Sequence, residues 1–252
     1  MIRAVLFDLG GTLHVCSTSE ERKLWFARRL ISRLEEYGVS LNISPQALSR
    51  QLQENAERYK HEAEDTLREL PPETVWNDYF LREQHVGREV LAPMAEELSF
   101  LYDYERVCNL RRPRLLSTVQ ALRDMNLRLG IISNILSRSI VPHFVAEYGL
   151  SEYMECVLTS AGTGIRKPDP AIFRLAEKQM NLAPEELAYV GDTLSRDVRG
   201  VRNAGWRLVI QIYSPNAAKR DGGLAEKGYK ADYNITDLSE IPGIIRKENE
   251  EG

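Results

Sequence analysis

The sequence predicts an α/β protein built on a doubly wound, mostly parallel sheet with one all-helical insertion. Three observations predict it. Short, non-alternating apolar runs recur along the chain, as strands covered on both faces require. Segments of helical periodicity separate these runs, and alternation of the two points to a parallel sheet with helices on both sides. Between about Glu20 and Tyr104 the alternation stops, and Glu, Arg, Leu and Ala dominate without a comparable strand run.

The first run, Arg3-Ala-Val-Leu-Phe-Asp8, ends in a carboxylate and the turn Gly10-Gly11-Thr12. In the insertion, Leu24, Ala27, Leu30, Ile31 and Leu34 recur at helical spacing, and that helix should end near Gly38. Ser44-Pro45 reads as an N-cap with proline at the first helical position, while Pro71-Pro72 marks a break. Asp103–Arg114 reads as the return linker, and His14–Ser19 as its outgoing counterpart. Strands follow at Leu127–Ile132, Met154–Leu158, Leu187–Val190 and Arg207–Ile212. Helices are expected at Leu115–Met125, Ser137–Tyr148, Pro170–Met180, Ser195–Ala204 and Ile241–Glu248, with a fraying tail over Arg246–Glu251. The domain division is 1–16 with 108–252 for the α/β core, and 17–107 for the insertion.

With 252 residues, 43% hydrophobic and 28% charged, the chain has the makings of a folded globular protein. A net charge of −4 argues against nucleic acid or anionic lipid as a partner. Cys16, Cys108 and Cys156 lack the spacing of a zinc site or disulfide framework, so reduced thiols and a cytoplasmic setting are expected. No apolar run approaches the ~20 residues of a membrane helix. A monomer or homodimer is compatible with these features.

In a parallel sheet, ligands bind outside the carboxyl ends of the strands. Here Asp8 follows the first strand, Ser133 and Asn134 follow the second, and Asp192 follows a later one with Asp197 five residues on. Lys167 precedes Pro168-Asp169-Pro170, which places it on a loop before a helix. Two acidic positions and one base converging on one crevice call for a metal or an anionic ligand.

These residues resemble the motifs of the haloacid dehalogenase superfamily of hydrolases. The four stretches are Phe7-Asp8-Leu9-Gly10-Gly11-Thr12-Leu13, Gly130-Ile131-Ile132-Ser133-Asn134, Lys167-Pro168 and Gly191-Asp192-Thr193-Leu194-Ser195-Arg196-Asp197. The helical insertion between the first two resembles that family's mobile first-type cap, on a Rossmann-like core. The resemblance implies a phosphatase for a small phosphorylated metabolite. Asp8 would be the nucleophile, giving a covalent aspartyl-phosphate. Mg²⁺ would be held by Asp8, Asp192 and the Gly10 carbonyl. Ser133 and Lys167 would bind phosphate, with Thr12 orienting the first loop and Asn134 facing the leaving group. Asp197 would stand behind them, on a metal-bound water or on Lys167.

One position departs from the family pattern. Gly10 stands where phosphatases of this kind usually carry a second aspartate as general acid and base. Glycine transfers no proton, so a contribution of typically ~10²–10⁴-fold is missing or comes from elsewhere. His14 is the first candidate substitute, since an unperturbed imidazole titrates near neutrality. The competing readings are a dehalogenase-type hydrolase and a non-catalytic module that binds a phosphate ligand or a protein. Trp25, Phe26, Tyr59, Trp76, Tyr79 and Phe80 then read either as a partner surface or as insertion core.

Overall fold

The computed structural model describes residues 1–221, 223–224 and 228–251. The chain opens with β1 (Ala4–Phe7) and β2 (His14–Ser17). The insertion comprises α1 (Glu20–Glu36), α2 (Pro45–Thr66), the single turns α3 (Pro72–Val75) and α4 (Arg88–Leu91), and α5 (Ala95–Glu105). The return is β3 (Cys108–Arg111), followed by α6 (Leu115–Asp124), β4 (Arg128–Ser133), α7 (Ile140–Glu147), β5 (Met154–Thr159) and the turn α8 (Ser160–Thr163). The rest is α9 (Pro170–Met180), β6 (Leu187–Gly191), α10 (Arg199–Ala204), β7 (Leu208–Ile212), α11 (Pro215–Arg220), β8 (Tyr233–Ile235) and α12 (Ile241–Glu251).

Six strands form one sheet in the order β5-β4-β1-β6-β7-β8, and every pairing in it is parallel. Successive side chains of a strand point to opposite faces. In β1, Val5 and Phe7 therefore join the apolar cluster of α6, α7 and α12, while Ala4 and Leu6 join that of α9 and α10. This two-sided burial is why the strand reads as an unbroken apolar run.

The insertion has its own core. Phe26, Leu30 and Leu34 of α1 meet Leu48, Leu52 and Tyr59 of α2, and Trp76, Phe80 and Leu98 close the cluster. Ser19 starts α1 by accepting the Arg22 amide, and Ser44 starts α2 by accepting that of Ala47, both at 3.2 Å. The Trp76 indole donates to Ser99 Oγ at 2.9 Å, so its one polar atom is satisfied inside the cluster. Of the six aromatics weighed as a partner surface, only Trp25 is exposed.

Two expectations about the linkers and the tail are corrected. Both linkers contain strand: β2 and β3 pair antiparallel, with His14 opposite Arg111 and Ser17 opposite Cys108. The pair is too short and too exposed to leave an alternating pattern in the sequence. The tail continues α12 to Glu251, because Asn249 exchanges hydrogen bonds with the backbone of Ile2 and Arg207 reaches the Glu248 carbonyl. Among the described residues, no helix is long and apolar enough to cross a membrane.

A third contact joins insertion and core. After α2 the chain turns through Leu67, in the left-handed conformation, and Arg68 bridges to Ile165. The Glu69 amide donates to the Gly164 carbonyl at 3.1 Å, and the Arg166 amide to that of Leu67 at 3.0 Å. The Glu69 side chain is fully buried, where it meets Arg166 and accepts from Tyr59 and Ser160.

Candidate active site

Strands β1, β4 and β6 lie side by side at the centre of the sheet, and their carboxyl ends deliver Asp8, Ser133 and Asp192 to one crevice. Two glycines make the close approach feasible. Gly11 has φ +94°, and a Cβ there would lie 2.0 Å from Asp192 Oδ2. A Cβ on Gly191 would lie 2.4 Å from Asp197 Cγ. Residues 194–198 then form a π-helical turn, in which Thr193 donates from both its amide and its hydroxyl to Asp197 Oδ2 at 3.0 and 2.6 Å.

Lys167 sits between two of the carboxylates. Its Nζ lies 2.9 Å from Asp8 Oδ1, 2.6 Å from Asp197 Oδ1, 2.9 Å from the Ile132 carbonyl and 2.7 Å from Tyr189 Oη. Four acceptors surround three protons, so one contact is always shared. The Tyr189 hydroxyl in turn donates to the Ile132 carbonyl at 2.8 Å. Burial alone would lower the lysine pKa, but Asp197 and Asp8 hold it up, and the ammonium stays charged. Burial would likewise raise Asp197, yet Lys167 and Thr193 bring it below the usual carboxylate range. For Asp8, burial outweighs the attraction of Lys167 and, with the Asp197 charge, raises the carboxyl. Burial and the Asp8 charge push Asp192 up to about 7.

Oxygens of Asp8, Asp192 and Asp197 lie within 4.8 Å of one another. Three buried carboxylates face a single ammonium, an imbalance that a divalent cation would correct. Carboxylate and carbonyl oxygen is also the donor chemistry that a hard ion such as Mg²⁺ takes. The residues therefore fit such an ion.

The remaining sequence-derived candidates divide. Ser133 is buried and lines the crevice. Asn134 lines it too, but its amide does not face outward: Nδ2 donates to the Lys167 carbonyl and Oδ1 accepts the Lys167 amide, both at 2.9 Å. It grips the lysine loop rather than a leaving group. Thr12 is fully buried and is not among the residues lining the crevice, and its hydroxyl has no partner among the described residues. His14 lines the crevice but does not titrate near neutrality. Burial pushes its pKa down to about 4, with Nδ1 held 2.9 Å from Tyr148 Oη and Phe144 packed against the ring. Its neutral imidazole is no proton donor of the imidazolium kind at pH 7.

Residues the sequence reading missed are Tyr189, Asp221, Arg106 and Arg220. Tyr189 reads as one more apolar strand position. Asp221 accepts the Leu194 amide and, at 2.6 Å, the Ser195 hydroxyl, and so fixes the start of the π turn. No local signal marks the two arginines, which reach the crevice from distant segments.

A family model described as haloacid dehalogenase-like hydrolase matches residues 2–205. The chain belongs to this family. Among its relatives, a glyceraldehyde 3-phosphate phosphatase of Methanopyrus kandleri is 29% identical over 209 residues, covering 81% of this chain and 82% of the relative. A haloacid dehalogenase-family phosphatase from Thermococcus onnurineus aligns over 97% of this chain and 98% of its own, with a TM-score of 0.59 and 26% identity. A 2-haloacid dehalogenase from Pseudomonas syringae shares the fold, with a TM-score of 0.64 and 22% identity over 98% of this chain and all of its own. Family and relatives make this haloacid dehalogenase-like protein a hydrolase of phosphoric monoesters.

Proposed function

We propose that the protein hydrolyses a small phosphorylated metabolite through a covalent phosphate on Asp8. The observation that carries this reading is the placement of Asp8, at the end of the central strand, against Lys167 and beside Asp192 in one crevice. The Asp8 carboxylate attacks phosphorus, the bond from phosphorus to the leaving oxygen breaks, and that oxygen takes a proton from solvent water to depart as the alcohol, a proton returned to solvent when water is consumed in the second step. Water then attacks the same phosphorus, releasing orthophosphate and regenerating Asp8. Ser133 donates to a phosphoryl oxygen, and Lys167 turns one of its three protons from its resting acceptors toward the phosphate. A Mg²⁺ bound by Asp8, Asp192 and the Gly10 carbonyl would neutralise charge on the phosphoryl group and the approaching carboxylate.

Asp197 is a positioning residue in this scheme, because it holds Lys167 and is itself held by Thr193. The relatives named as phosphatases act on small phosphate esters, which supports the same substrate class here. Helices α1 to α5 act as the cap over the crevice, contributing Tyr102 and Asp103 to its wall. The test is hydrolysis of para-nitrophenyl phosphate with Mg²⁺ and with chelator, on wild type and Asp8→Asn. Turnover lost on chelation and on substitution is expected. Turnover that survives Asp8→Asn would overturn the nucleophile assignment.

A further inference from the structure

Three arginines from separate segments line the mouth of the crevice: Arg106 just past α5, Arg196 in the π turn and Arg220 at the end of α11. A second hollow on the insertion side is lined by the same three side chains, so they stand where the two spaces meet. Arg196 is paired with Glu64 of α2. Among the described residues, neither Arg106 nor Arg220 has a carboxylate within ion-pair distance. Arg106 lies over the Tyr102 ring, 4.7 Å from its centre, which holds the guanidinium in place without neutralising it.

Several nearby acids are turned toward partners of their own. Glu69 is taken by Arg166, Glu57 by Lys60 at 3.0 Å, and Asp221 by the amides and hydroxyl at Leu194 and Ser195. Asp103 accepts the Ser137 amide at 2.9 Å. Neither Arg106 nor Arg220 is thus drawn into an ion pair among the described residues; burial and then the Arg196 charge lower the Arg220 pKa, against the pull of Asp192, Glu64 and Asp221. Two guanidinium forks at one rim, without an ion pair among the described residues and one of them held over an aromatic ring, fit a carboxylate or phosphate group.

We infer that the substrate carries a second anionic group, on the part that leaves, and that Arg106 and Arg220 bind it. The inference rests on the phosphatase reading and narrows it. Glyceraldehyde 3-phosphate, which names the relatives' activity, has no charge beyond its phosphate. The favoured substrates here are instead phosphorylated acids or bisphosphates.

The experiment compares three matched esters: glycerol 3-phosphate, 3-phosphoglycerate and propane-1,3-diol bisphosphate. It reads kcat/KM on wild type, and binding by calorimetry on Asp8→Asn with Mg²⁺ present. At least one acidic ester should exceed glycerol 3-phosphate by 10-fold or more in both readouts, and which one does so tells carboxylate from phosphate. Arg106→Gln and Arg220→Gln should each cut that ratio by at least 5-fold, while Arg106→Lys should keep part of it. Equal values for the three esters, or a ratio unmoved by both substitutions, would overturn the inference. Para-nitrophenyl phosphate run alongside separates the two readings: turnover there without acid preference sinks only the second anion site. Absence of all turnover sinks the phosphatase reading and leaves the binding ratios to decide the anion site.

Discussion

Replacing Gly10 with aspartate tests directly what this site lacks. A Cβ added at Gly10 would meet Cys16 Sγ at 3.5 Å and His14 Nε2 at 3.8 Å, which are ordinary contacts, and Gly10 is not among the residues of positive φ. A Cβ is therefore accepted at this position without clash or backbone strain. A positioned general acid and base contributes typically ~10²–10⁴-fold, or about 3–5 kcal/mol of barrier at 1.36 kcal/mol per decade. An ester with a poor leaving group should gain most, because para-nitrophenolate leaves without a proton. The assay is kcat for Gly10→Asp and wild type on 3-phosphoglycerate and on para-nitrophenyl phosphate, with Mg²⁺ saturating and thermal unfolding checked in parallel. We expect the ratio of the two kcat values to rise at least 10-fold. A variant that folds as stably as wild type and shows no change in that ratio would refute the reasoning, since proton transfer would then not be what limits the site.

Lys167→Met should abolish measurable turnover and cost about 3–5 kcal/mol in urea unfolding, because Asp8 and Asp197 would be left buried together without their cation. A loss below 1 kcal/mol would contradict that. His14 should make the fold acid-sensitive: the unfolded imidazole titrates near 6.5 and the folded one near 4, so the unfolded chain binds the extra proton between them. That contribution is whole above pH 6.5 and falls away toward pH 4, by about 3 kcal/mol, and subtracting the stability curve of His14→Phe isolates it. A flat difference between the two curves would refute it. Glu69→Ala should destabilise by about 3–5 kcal/mol, since Arg166 would stay buried without its partner. Chemical denaturation of Glu69→Ala beside the double variant with Arg166→Met measures this, and the double variant should recover part of the loss.

The central sheet was legible because its strands are covered on both faces and so cannot alternate. The same physics hid β2, β3 and β8, which are short and partly exposed, and carry no pattern of their own. Site residues at strand ends were legible for a related reason: a polar side chain directly after a buried run has few places to go except the crevice. Lys167 could be placed on a loop because the following prolines restrict the backbone there. Asn134 and Thr12 show where that logic stops, for position near a site says nothing of which way an amide or hydroxyl turns. Tyr189 lies mid-strand and looks like core, which it is, apart from the one oxygen that touches Lys167. Glu69 and Arg166 are 97 residues apart and meet only because α2 ends in a left-handed turn.

The contact of residues 67–69 with 164–166 bears on how this protein could be re-engineered. Cutting at the two linkers and grafting the helices of another family member onto the sheet would leave Arg166 buried without Glu69, and the loop that carries Lys167 without its backbone bridge. The exchangeable unit is therefore discontinuous: it comprises the insertion together with the 160–166 segment of the core. A chimera that respects that boundary keeps the lysine loop anchored, whereas one drawn along the chain alone would loosen the site it was meant to redirect.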